Sequence, residues 1–447
     1  KLVHGGLRYL ASGQFGIAHE SAAERHVLMT RTAPHLTRPL AQGLPLFAPG
    51  HRYRGAYVGA GYLLGDALRR VVGTPGRVLP PPGVIGADEV LRVAPAVRGD
   101  GLRGAIRGWD GRLVDDARLV VAVARTAAGF GARVLTRVAA VDVTGNGATL
   151  RDELTGQTLA VRARAVLNAA GVWAGQVDAS VRLRPSRGTH LVLDAARFGG
   201  SDVSLTVPLP GSRSRMVFTL PAPHGRVYAG LTDVPVDGPV PDVAEASEEE
   251  ITMLLDTVSL ALEEPLGRSD VLGSFAGLRP LLVPEGDAGG ATSDISRQHA
   301  ILESASGVFS VVGGKLTTYR RMAQDGVDAA IAGRGLVAPA SRTRDLGLVG
   351  AWPRARLATL SAPARYVRRY GTEASAVAAL PGGIDAAHGV TAQELAWGVI
   401  AEGALTIDDL LDRRTRLGLV AGDRAASIAA AEAALDAAPS PSSPPRR

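Results

Sequence analysis

Residues 311–319 read VVGGKLTTY, and this stretch says most about the fold and chemistry of the chain. It contains Lys315, one of two lysines among 49 basic residues; the other is Lys1. Gly313 and Gly314 have no Cβ, so a ligand can approach the backbone closely. Thr-Thr-Tyr then opens a helix whose free N–H groups and positive end face the same spot. The pattern indicates a site for an anionic or electron-rich ligand; a strand-to-helix turn with a solvated lysine is the alternative.

The composition of the 447-residue chain limits the classes of protein that it can be. This length predicts two or three domains, and a hydrophobic content of 46% supplies their cores. The formal charge of +6 suits nucleic acid, anionic lipid or an acidic substrate. Nucleic acid is disfavoured, because no basic run is interleaved with aromatic residues that would stack on bases. The lack of cysteine excludes disulfides and thiolate chemistry, and the nine histidines show no metal-ligand spacing.

Local patterns in the first half of the chain predict an α/β order. Asp115 caps a helix that runs to about Ala128 with apolar side chains on one face. Asn146-Gly147 marks a hairpin turn inside a small β-meander. Strands are predicted at residues 133–136, 139–143, 159–161 and 165–168.

The second half changes in character. From about residue 181 to 300 it reads as β-rich, with strands at residues 189–193, 216–220 and 227–230. Ser247 and Glu250 form a capping box that opens one long helix within this region. After about residue 346 the chain turns helical, with helix starts at Thr391 and Thr406.

Residues 59–65, GAGYLLG, imitate a dinucleotide-binding fingerprint. The third glycine comes one position late, and no strand ends before the loop. We therefore interpret this segment as a packed helix with small residues.

A set of motifs, each weak alone, falls in order along nearly the whole chain. The motifs are KLVHGGLRYL at 1–10, WDGRLVDDARL at 109–119, NAAGVW at 168–173, RPSRGTH at 184–190, GLRPL at 277–281, SR at 296–297 and GGKLTTY at 313–319. As an ordered set they are specific, and the chain resembles the FAD-dependent glycerol-3-phosphate dehydrogenases. Its last helices resemble the C-terminal cap of that family.

The resemblance implies an α/β fold of the amino-acid-oxidase-like superfamily. It joins a Rossmann-type FAD-binding domain, N-terminally incomplete, to a β-rich substrate domain and a C-terminal α-helical domain. The implied parts are FAD-binding segments at 1–38, 106–180 and 296–335, a substrate or membrane-facing segment at 39–105, the β-rich domain at 181–295, the helical domain at 346–436 and a disordered tail at 437–447.

The implied reaction oxidises sn-glycerol 3-phosphate to dihydroxyacetone phosphate. Hydride passes to the flavin of FAD, and the electrons continue to quinone at the membrane surface. The implied location is cytoplasmic, or peripheral on the cytoplasmic face of the plasma membrane. A homodimer is compatible with the resemblance.

Three residues at these motifs are catalytic candidates: His190, Arg279 and Lys315. His190 is the candidate base for the hydroxyl proton, because histidine titrates near working pH. The alternative is a histidine on a strand face that makes one hydrogen bond. Lys315 would lie near the flavin and the substrate oxygen and stabilise negative charge there.

The substrate phosphate needs a clamp of cations. Arg8, Arg279 and Arg297 carry forked donors that match phosphate oxygens bidentately, and Lys315 adds a point charge. Tyr9 is a candidate hydrogen-bond donor to the phosphate or carbonyl, or a packing residue. The residues that the resemblance implies for cofactor contact are Lys1, Leu2, His4, Gly5, Gly6, Asn168, Ala169, Gly171, Trp173, Gly313, Gly314, Lys315, Leu316 and Thr317.

Residues 40–72 mix apolar side chains with arginines. This combination favours anionic bilayers, so the segment is a candidate surface anchor near the quinone site. An ordinary covering segment of the substrate domain is the alternative. The sequence contains no apolar run of about 18 residues that would predict a membrane-spanning helix.

Three other functions remain open. The first is an oxidase that passes electrons to oxygen on the same scaffold, which peroxide production would reveal. The second is a binding protein derived from the enzyme that lacks flavin and catalysis. The third, an amine or amino-acid oxidase, ranks low, because a carboxylate substrate needs fewer cations than the four available here.

The family's opening strand, GxGxxG loop and first helix do not precede Lys1, so we expect the natural N terminus to be missing. We predict that the purified chain as written binds FAD poorly, because the pyrophosphate lacks a helix N terminus. Adding the strand–loop–helix unit should restore stoichiometric flavin. Flavin absorbance per mole of chain measures this, and full flavinylation of the chain as written would contradict the prediction.

Overall fold

The computed structural model describes residues 1–11, 13–49, 51–212, 215–283 and 298–437. Arg297 and the predicted tail beyond residue 437 lie outside these ranges. The strands are β1 Leu2–Val3, β2 Thr37–Phe47, β3 Gly83–Ile85, β4 Leu102–Leu113, β5 Val138–Thr144, β6 Gly147–Asp152, β7 Thr158–Arg162, β8 Leu167–Asn168, β9 Leu183–Asp194, β10 Ser204–Pro208, β11 Met216–Ala222, β12 Arg226–Gly230, β13 Val234–Pro235, β14 Val271–Leu282, β15 Ala300–Glu303 and β16 Phe309–Val312. The helices are α1 Leu7–Ala11, α2 Phe15–Val27, α3 His51–Val71, α4 Ala87–Val93, α5 Asp116–Gly129, α6 Ala174–Val177, α7 Glu248–Ser259, α8 Tyr319–Gly333, α9 Arg354–Leu357, α10 Ala364–Tyr370, α11 Ala374–Ala378, α12 Ala392–Ile400, α13 Ala421–Ala425 and α14 Ile428–Asp436.

One large sheet runs through the β-rich part of the chain. Its strand order is β1-β4-β2-β10-β11-β12-β9-β13, with β14 added to β9 and β3 added to β4. β2 and β10 run parallel, whereas β9 pairs with β12 and with β14 in antiparallel fashion. The strands predicted at residues 189–193, 216–220 and 227–230 are confirmed within β9, β11 and β12.

Helix α7 closes the core of this sheet. Its buried Leu254 and Val258 pack in one cluster with Leu191 and Leu193 of β9. Burying each such side chain stabilises the fold by about 1.5–3 kcal/mol. The predicted capping box is present, since the Glu250 amide donates to Ser247 Oγ and the Ser247 amide donates to the Glu250 carboxylate, both at 3.3 Å. The start of the helix is therefore fixed by its own sequence.

A second sheet contains one parallel pair. β16 runs parallel to β8 with Phe309 opposite Leu167, and β15 pairs with β16 in antiparallel fashion. Both β8 and β16 lead directly into a helical turn, at residues 171–173 and 316–318, and α8 follows the second turn. α8 packs closely on this sheet, because a Cβ on Gly326 would lie 2.7 Å from the Val311 side chain.

A three-stranded meander of β5, β6 and β7 follows α5 as predicted, and Thr144 pairs with Gly147 across its first turn. The strand predicted at residues 133–136 is wrong: this segment is irregular, turns at residue 136, is solvent-exposed, and pairs with no strand that the structure describes. Apolar residues alone do not make a strand, because a strand needs a hydrogen-bonded neighbour. The strand predicted at 165–168 is shortened to β8.

The GAGYLLG segment lies in the middle of α3, as the interpretation of a packed helix requires. Its small residues allow close contact: a Cβ on Gly65 would strike Leu7, and Tyr62 packs against Gly108 of β4. In the described ranges we find no helix that is both long and apolar enough to cross a membrane.

Helices α12 and α14 pack around a buried cluster that includes Leu395, Leu410 and Leu411, and helices α10 and α11 form a second cluster with Tyr370 and Val377. The predicted capping box at Thr391 is present, and Thr406 accepts a hydrogen bond from the Asp409 amide at the start of a helical segment at 409–414. We call residues 341–437 the C-terminal module.

Buried ion pairs join the C-terminal module to the N-terminal end of α5. Arg118 donates to Glu402 at 2.5 Å, and Arg369 lies between Asp115 and Glu394 at 3.3 and 3.1 Å. Because these side chains are at most 5% exposed, loss of one partner would leave a buried charge uncompensated. The module is therefore held firmly against α5.

Candidate active site

The carboxyl ends of β8 and β16 form one half of the site. Gly171 follows β8 at φ +60°, and Gly313 and Gly314 follow β16 at φ +74° each. These left-handed conformations explain the choice of glycine at all three positions. Adjacent carboxyl ends of parallel strands, each leading into a helical turn, form the crevice in which α/β folds bind nucleotide cofactors.

Asn168 organises this edge. Its Nδ2 donates to the Ala174 carbonyl and to Ser310 Oγ, both at 3.0 Å, and its Oδ1 accepts from the Ala170 amide. Asn168 is buried, whereas Trp173 is 37% exposed and thus available to a ligand. Ala169, next to Asn168 in the chain, is exposed at the strand end.

The loop after β1 lies against the turn after β16. The His4 amide donates to Thr317 Oγ1 at 3.2 Å, and the Gly5 amide donates to the Asp110 carboxylate at 3.0 and 3.2 Å. Arg25 Nη1 donates to the same carboxylate at 2.6 Å. Sequence analysis did not assign a role to Asp110 or Arg25, although Asp110 lies within the quoted WDG motif.

Gly6 completes this loop at φ +79°, and a Cβ there would lie 3.2 Å from the side chain of Ser21 on α2. Leu2 and Lys1 precede it: Leu2 pairs with Arg112 of β4, and Lys1 Nζ lies 3.0 Å from the Asp116 carboxylate. The loop is thus fixed between β4 and α2.

Lys315 lies where α1, α2 and the turn after β16 meet. Its Nζ donates to the buried Ser21 hydroxyl and lies 4.1 Å from the centroid of the Tyr9 ring. The face of an aromatic ring attracts a cation, so Tyr9 stabilises the ammonium. Leu316 follows in the helical turn. The sequence did not point to Ser21, since a serine inside a helix carries no motif.

A cavity of roughly 310 Å³ opens beside Lys315. Gln14, Gly16 and Ile17 from the first turn of α2 line it, together with Lys315 and Thr318 at the start of α8; Glu20, Gln298 and His299 complete the lining. Within the described ranges, neither N-cap side chain, Gln14 of α2 or Thr318 of α8, makes a capping hydrogen bond. Two helix N termini and an ammonium therefore converge on one space, which favours an anion.

His190 lies on the other half of the site, on β9. It pairs with Gly230 of β12 and with Phe275 of β14, and its ring stacks on Phe275 with centroids 5.0 Å apart and planes 3° apart. Tyr228 meets the same Phe275 edge-on at 5.3 Å. His190 Nδ1 is buried and has no hydrogen-bond partner among the residues that the structure describes.

Burial lowers the pKa of His190 to about 3, and the positive charges of Lys1 and Arg279 act in the same direction. Asp116 opposes them. The imidazole is therefore neutral near neutral pH and can accept a proton from a bound hydroxyl group, but the expectation that it titrates near working pH is wrong, because burial disfavours its charged form.

Arg279 lies on β14 near His190. Its Nη2 donates to the Thr232 carbonyl at 2.9 Å, and its Nη1 lies 3.6 Å from the Asp233 carboxylate. The guanidinium fills the space over Gly188, where a Cβ would collide with it. Thr232 in turn donates to Glu250 at 2.5 Å, so this arginine is held by a buried polar network.

The structure thus places the predicted site residues in two groups. Tyr9, Lys315 and Thr317 lie together at the cavity or beside it, whereas His190 and Arg279 lie on the β9–β14 surface and do not line that cavity. Arg8 lies in α1, and Arg297 lies outside the described residues. Phe275 and Thr232 were missed, because their roles come from cross-strand neighbours that a linear motif does not show.

FAD fits the half built by β8, β16 and the loop after β1. The strand ends, the positive-φ glycines and the helical turn at residues 316–318 offer backbone N–H donors and room for a close approach. On the facing surface, His190 Nδ1 is buried and has no hydrogen-bond partner among the residues described. Together these features match a flavin bound between the two halves.

Two family models match the chain. The model for FAD dependent oxidoreductases matches residues 1–320, and the model for the C-terminal domain of alpha-glycerophosphate oxidase matches residues 341–438. Glycerol-3-phosphate dehydrogenase 1 of Mycobacterium bovis is 54% identical over 448 residues, which cover 97% of this chain and 86% of that protein. The mitochondrial glycerol-3-phosphate dehydrogenase of Macaca fascicularis is 32% identical over 97% of this chain and 63% of its own length.

Solved structures agree with these matches. The glycerol-3-phosphate dehydrogenase from Bacillus halodurans, complexed with FAD, aligns with a TM-score of 0.66 and 26% identity, covering 94% of this chain and 78% of that one. The L-alpha-glycerophosphate oxidase from Mycoplasma pneumoniae aligns with a TM-score of 0.53 at 13% identity over 78% and 87% of the two chains, which shows a shared fold. The chain belongs to the FAD-dependent oxidoreductases and, within them, to the glycerol-3-phosphate dehydrogenase family.

Proposed function

We propose that this chain oxidises the secondary alcohol of sn-glycerol 3-phosphate to the ketone of dihydroxyacetone phosphate. The observation that carries the proposal is the cavity at which Lys315 and the N termini of α2 and α8 converge. A phosphate monoester is the anion that such a site favours, and the relatives named above are glycerol-3-phosphate dehydrogenases. Anaerobic bleaching of the flavin by sn-glycerol 3-phosphate, but not by glycerol, tests it.

Each group of residues has one task in this proposal. FAD supplies the hydride acceptor. His190, neutral and partly buried, takes the hydroxyl proton as the C–H bond breaks. Lys315, held by Ser21 and Tyr9, stabilises negative charge near the substrate. Arg279 does not line this cavity, and we propose that it reaches the substrate phosphate from the facing β9–β14 surface, with Arg8 and Arg297 as further clamp candidates.

The two halves of the site support the proposed domain division. Segments 1–38, 106–180 and 296–335 contribute β8, β16 and the loop after β1, and we propose that they form the FAD-binding part. Segments 39–105 and 181–295 contribute most of the large sheet and the His190 surface. Segment 346–436 is helical and packs on α5.

We further propose that the electrons pass to quinone and that α3 faces the membrane. The outer side of α3 exposes Tyr57, Leu63, Leu64 and Val71, which are each at least half exposed, while Tyr62 faces the core. An exposed apolar face on a basic protein favours an anionic bilayer surface, where quinone is dissolved.

The role of His190 gives the first prediction for the flavin-loaded enzyme. His190→Ala should lower kcat roughly a hundredfold, which is the usual contribution of a general base. Since its pKa lies near 3, His190 takes up a proton only in strong acid, and kcat/KM should show no His190-dependent loss from about pH 7 to about pH 5. Stopped-flow flavin reduction measures both.

The exposed His19 on α2 provides the control, because His19→Ala should leave the rate unchanged. If His190→Ala reduces flavin at the wild-type rate, His190 is not the base.

Arg279→Lys keeps the charge but removes the planar fork. If Arg279 grips phosphate bidentately, kcat/KM for sn-glycerol 3-phosphate should fall by roughly ten- to a hundredfold, or about 1.5–3 kcal/mol. Oxidation of glycerol, already poor, should hardly change, because glycerol has no phosphate to grip. Steady-state assays with a dye acceptor compare the two substrates.

Arg107→Lys is a control outside this network, since Arg107 lies on β4 and its Nη1 donates to Glu89 at 3.0 Å. It should affect both substrates alike. An equal loss for both substrates in Arg279→Lys would assign Arg279 to the flavin or the fold.

The membrane face is tested by flotation with vesicles. The protein should float with anionic vesicles, and the double change Leu63→Glu and Leu64→Glu should abolish flotation while dye-linked activity is retained. Leu154→Glu, at an equally exposed leucine of the β6–β7 turn, should leave flotation intact. Failure to bind either anionic or neutral vesicles would remove the membrane face, and peroxide formation would then favour oxygen as acceptor.

A further inference from the structure

Arg416, in the C-terminal module, has an uncommon backbone conformation. Its φ of +65° and ψ of 16° lie in the left-handed region, which costs a residue with a Cβ free energy. The surrounding segment is fixed by contacts on both sides. The Thr415 carbonyl accepts from His224 Nε2 at 2.9 Å, and the Leu419 carbonyl lies so close to β14 that a Cβ on Gly273 would strike it. The strain therefore persists in a rigid environment.

The side chain of Arg416 reaches out of its module toward the candidate active site. Its Nη1 lies 3.0 Å from the carboxylate of Asp116, the first residue of α5. Its Cζ lies 5.7 Å from the centroid of Phe275, on which His190 stacks. Both members of the ion pair are less than one-fifth exposed. A continuous series of contacts therefore links the C-terminal module to the proposed base.

We infer that Arg416 is a positioning residue for the reaction, acting on His190 through Phe275. The guanidinium lies near the Phe275 ring, where the cation attracts the aromatic face, and Tyr228 meets the same ring at its edge. With Phe275 held, the imidazole stacked on it is kept in a plane parallel to that ring. Asp116 fixes the guanidinium in turn, and Lys1 lies against the same carboxylate.

This inference rests on the proposed function, because His190 must be the base for its orientation to matter. It also gives the C-terminal module a task beyond packing. A small displacement of a catalytic group can reduce the rate by up to about a hundredfold without loss of binding. Arg416 touches neither the cavity beside Lys315 nor Arg279 in the contacts that the structure describes.

The test uses the flavin-loaded enzyme and five variants. Arg416→Gln should lower the rate of flavin reduction by sn-glycerol 3-phosphate about tenfold and leave KM within about twofold. Arg416→Lys should recover part of the rate, because the ammonium can still pair with Asp116. Arg413→Gln is the control: Arg413 lies in the same module, its side chain is 59% exposed and it pairs with Asp409 at 3.3 Å. It should match the wild type.

Coupling to His190 separates positioning from a structural role. If Arg416 acts through His190, the double variant His190→Ala and Arg416→Gln should be no slower than His190→Ala alone. Losses that multiply in the double variant, or a lowered Tm with an unchanged rate in Arg416→Gln, would overturn the inference. If the wild type does not oxidise sn-glycerol 3-phosphate at all, the proposed function fails; if it does and Arg416→Gln is fully active, only this inference fails.

Discussion

The buried ion pair between Arg25 of α2 and Asp110 of β4 is the contact on which the site depends. Both side chains are at most 5% exposed, and the same carboxylate accepts the amides of Gly5 and Gly111. Removing one partner would leave a buried charge uncompensated, at a cost of about 3–5 kcal/mol. The pair fixes the loop after β1 to α2, and α2 carries both Ser21, which holds Lys315, and the helix N terminus at the cavity.

Electrostatics divides the site into two different environments. At the cavity, the ammonium of Lys315 and two helix N termini favour an anion even though Glu20 is present. On the β9–β14 surface, burial and nearby cations keep His190 neutral. An alcohol oxidation on a phosphorylated substrate requires this division, because the phosphate needs positive charge and the base needs to be unprotonated.

Buried ion pairs attach the C-terminal module to α5, beside an apolar contact of Leu348 with the cluster around Leu119. Arg118–Glu402 and the Arg369 pairs bury their charges against α5, and Arg416 extends the connection to the aromatic stack under His190. Buried pairs gain little over apolar packing, but they demand one geometry, since any other arrangement leaves charges uncompensated. A module held in one geometry can position a residue at a distant site.

The sequence by itself determined the elements whose causes are local, because each depends on residues only a few positions apart. The structure confirms four of them: the capping boxes at Ser247 and Thr391, the turn at Asn146-Gly147 and the GGKLTTY strand-to-helix turn. The ordered motifs also determined the family. Only the tertiary structure decided that residues 133–136 form no strand. It also decided that Lys315 contacts Ser21 and Tyr9. The support of His190 by Phe275 and Arg416 likewise comes from the tertiary structure alone. Strand pairing, burial and long-range ion pairs join residues far apart in the chain, and no local pattern specifies such partners.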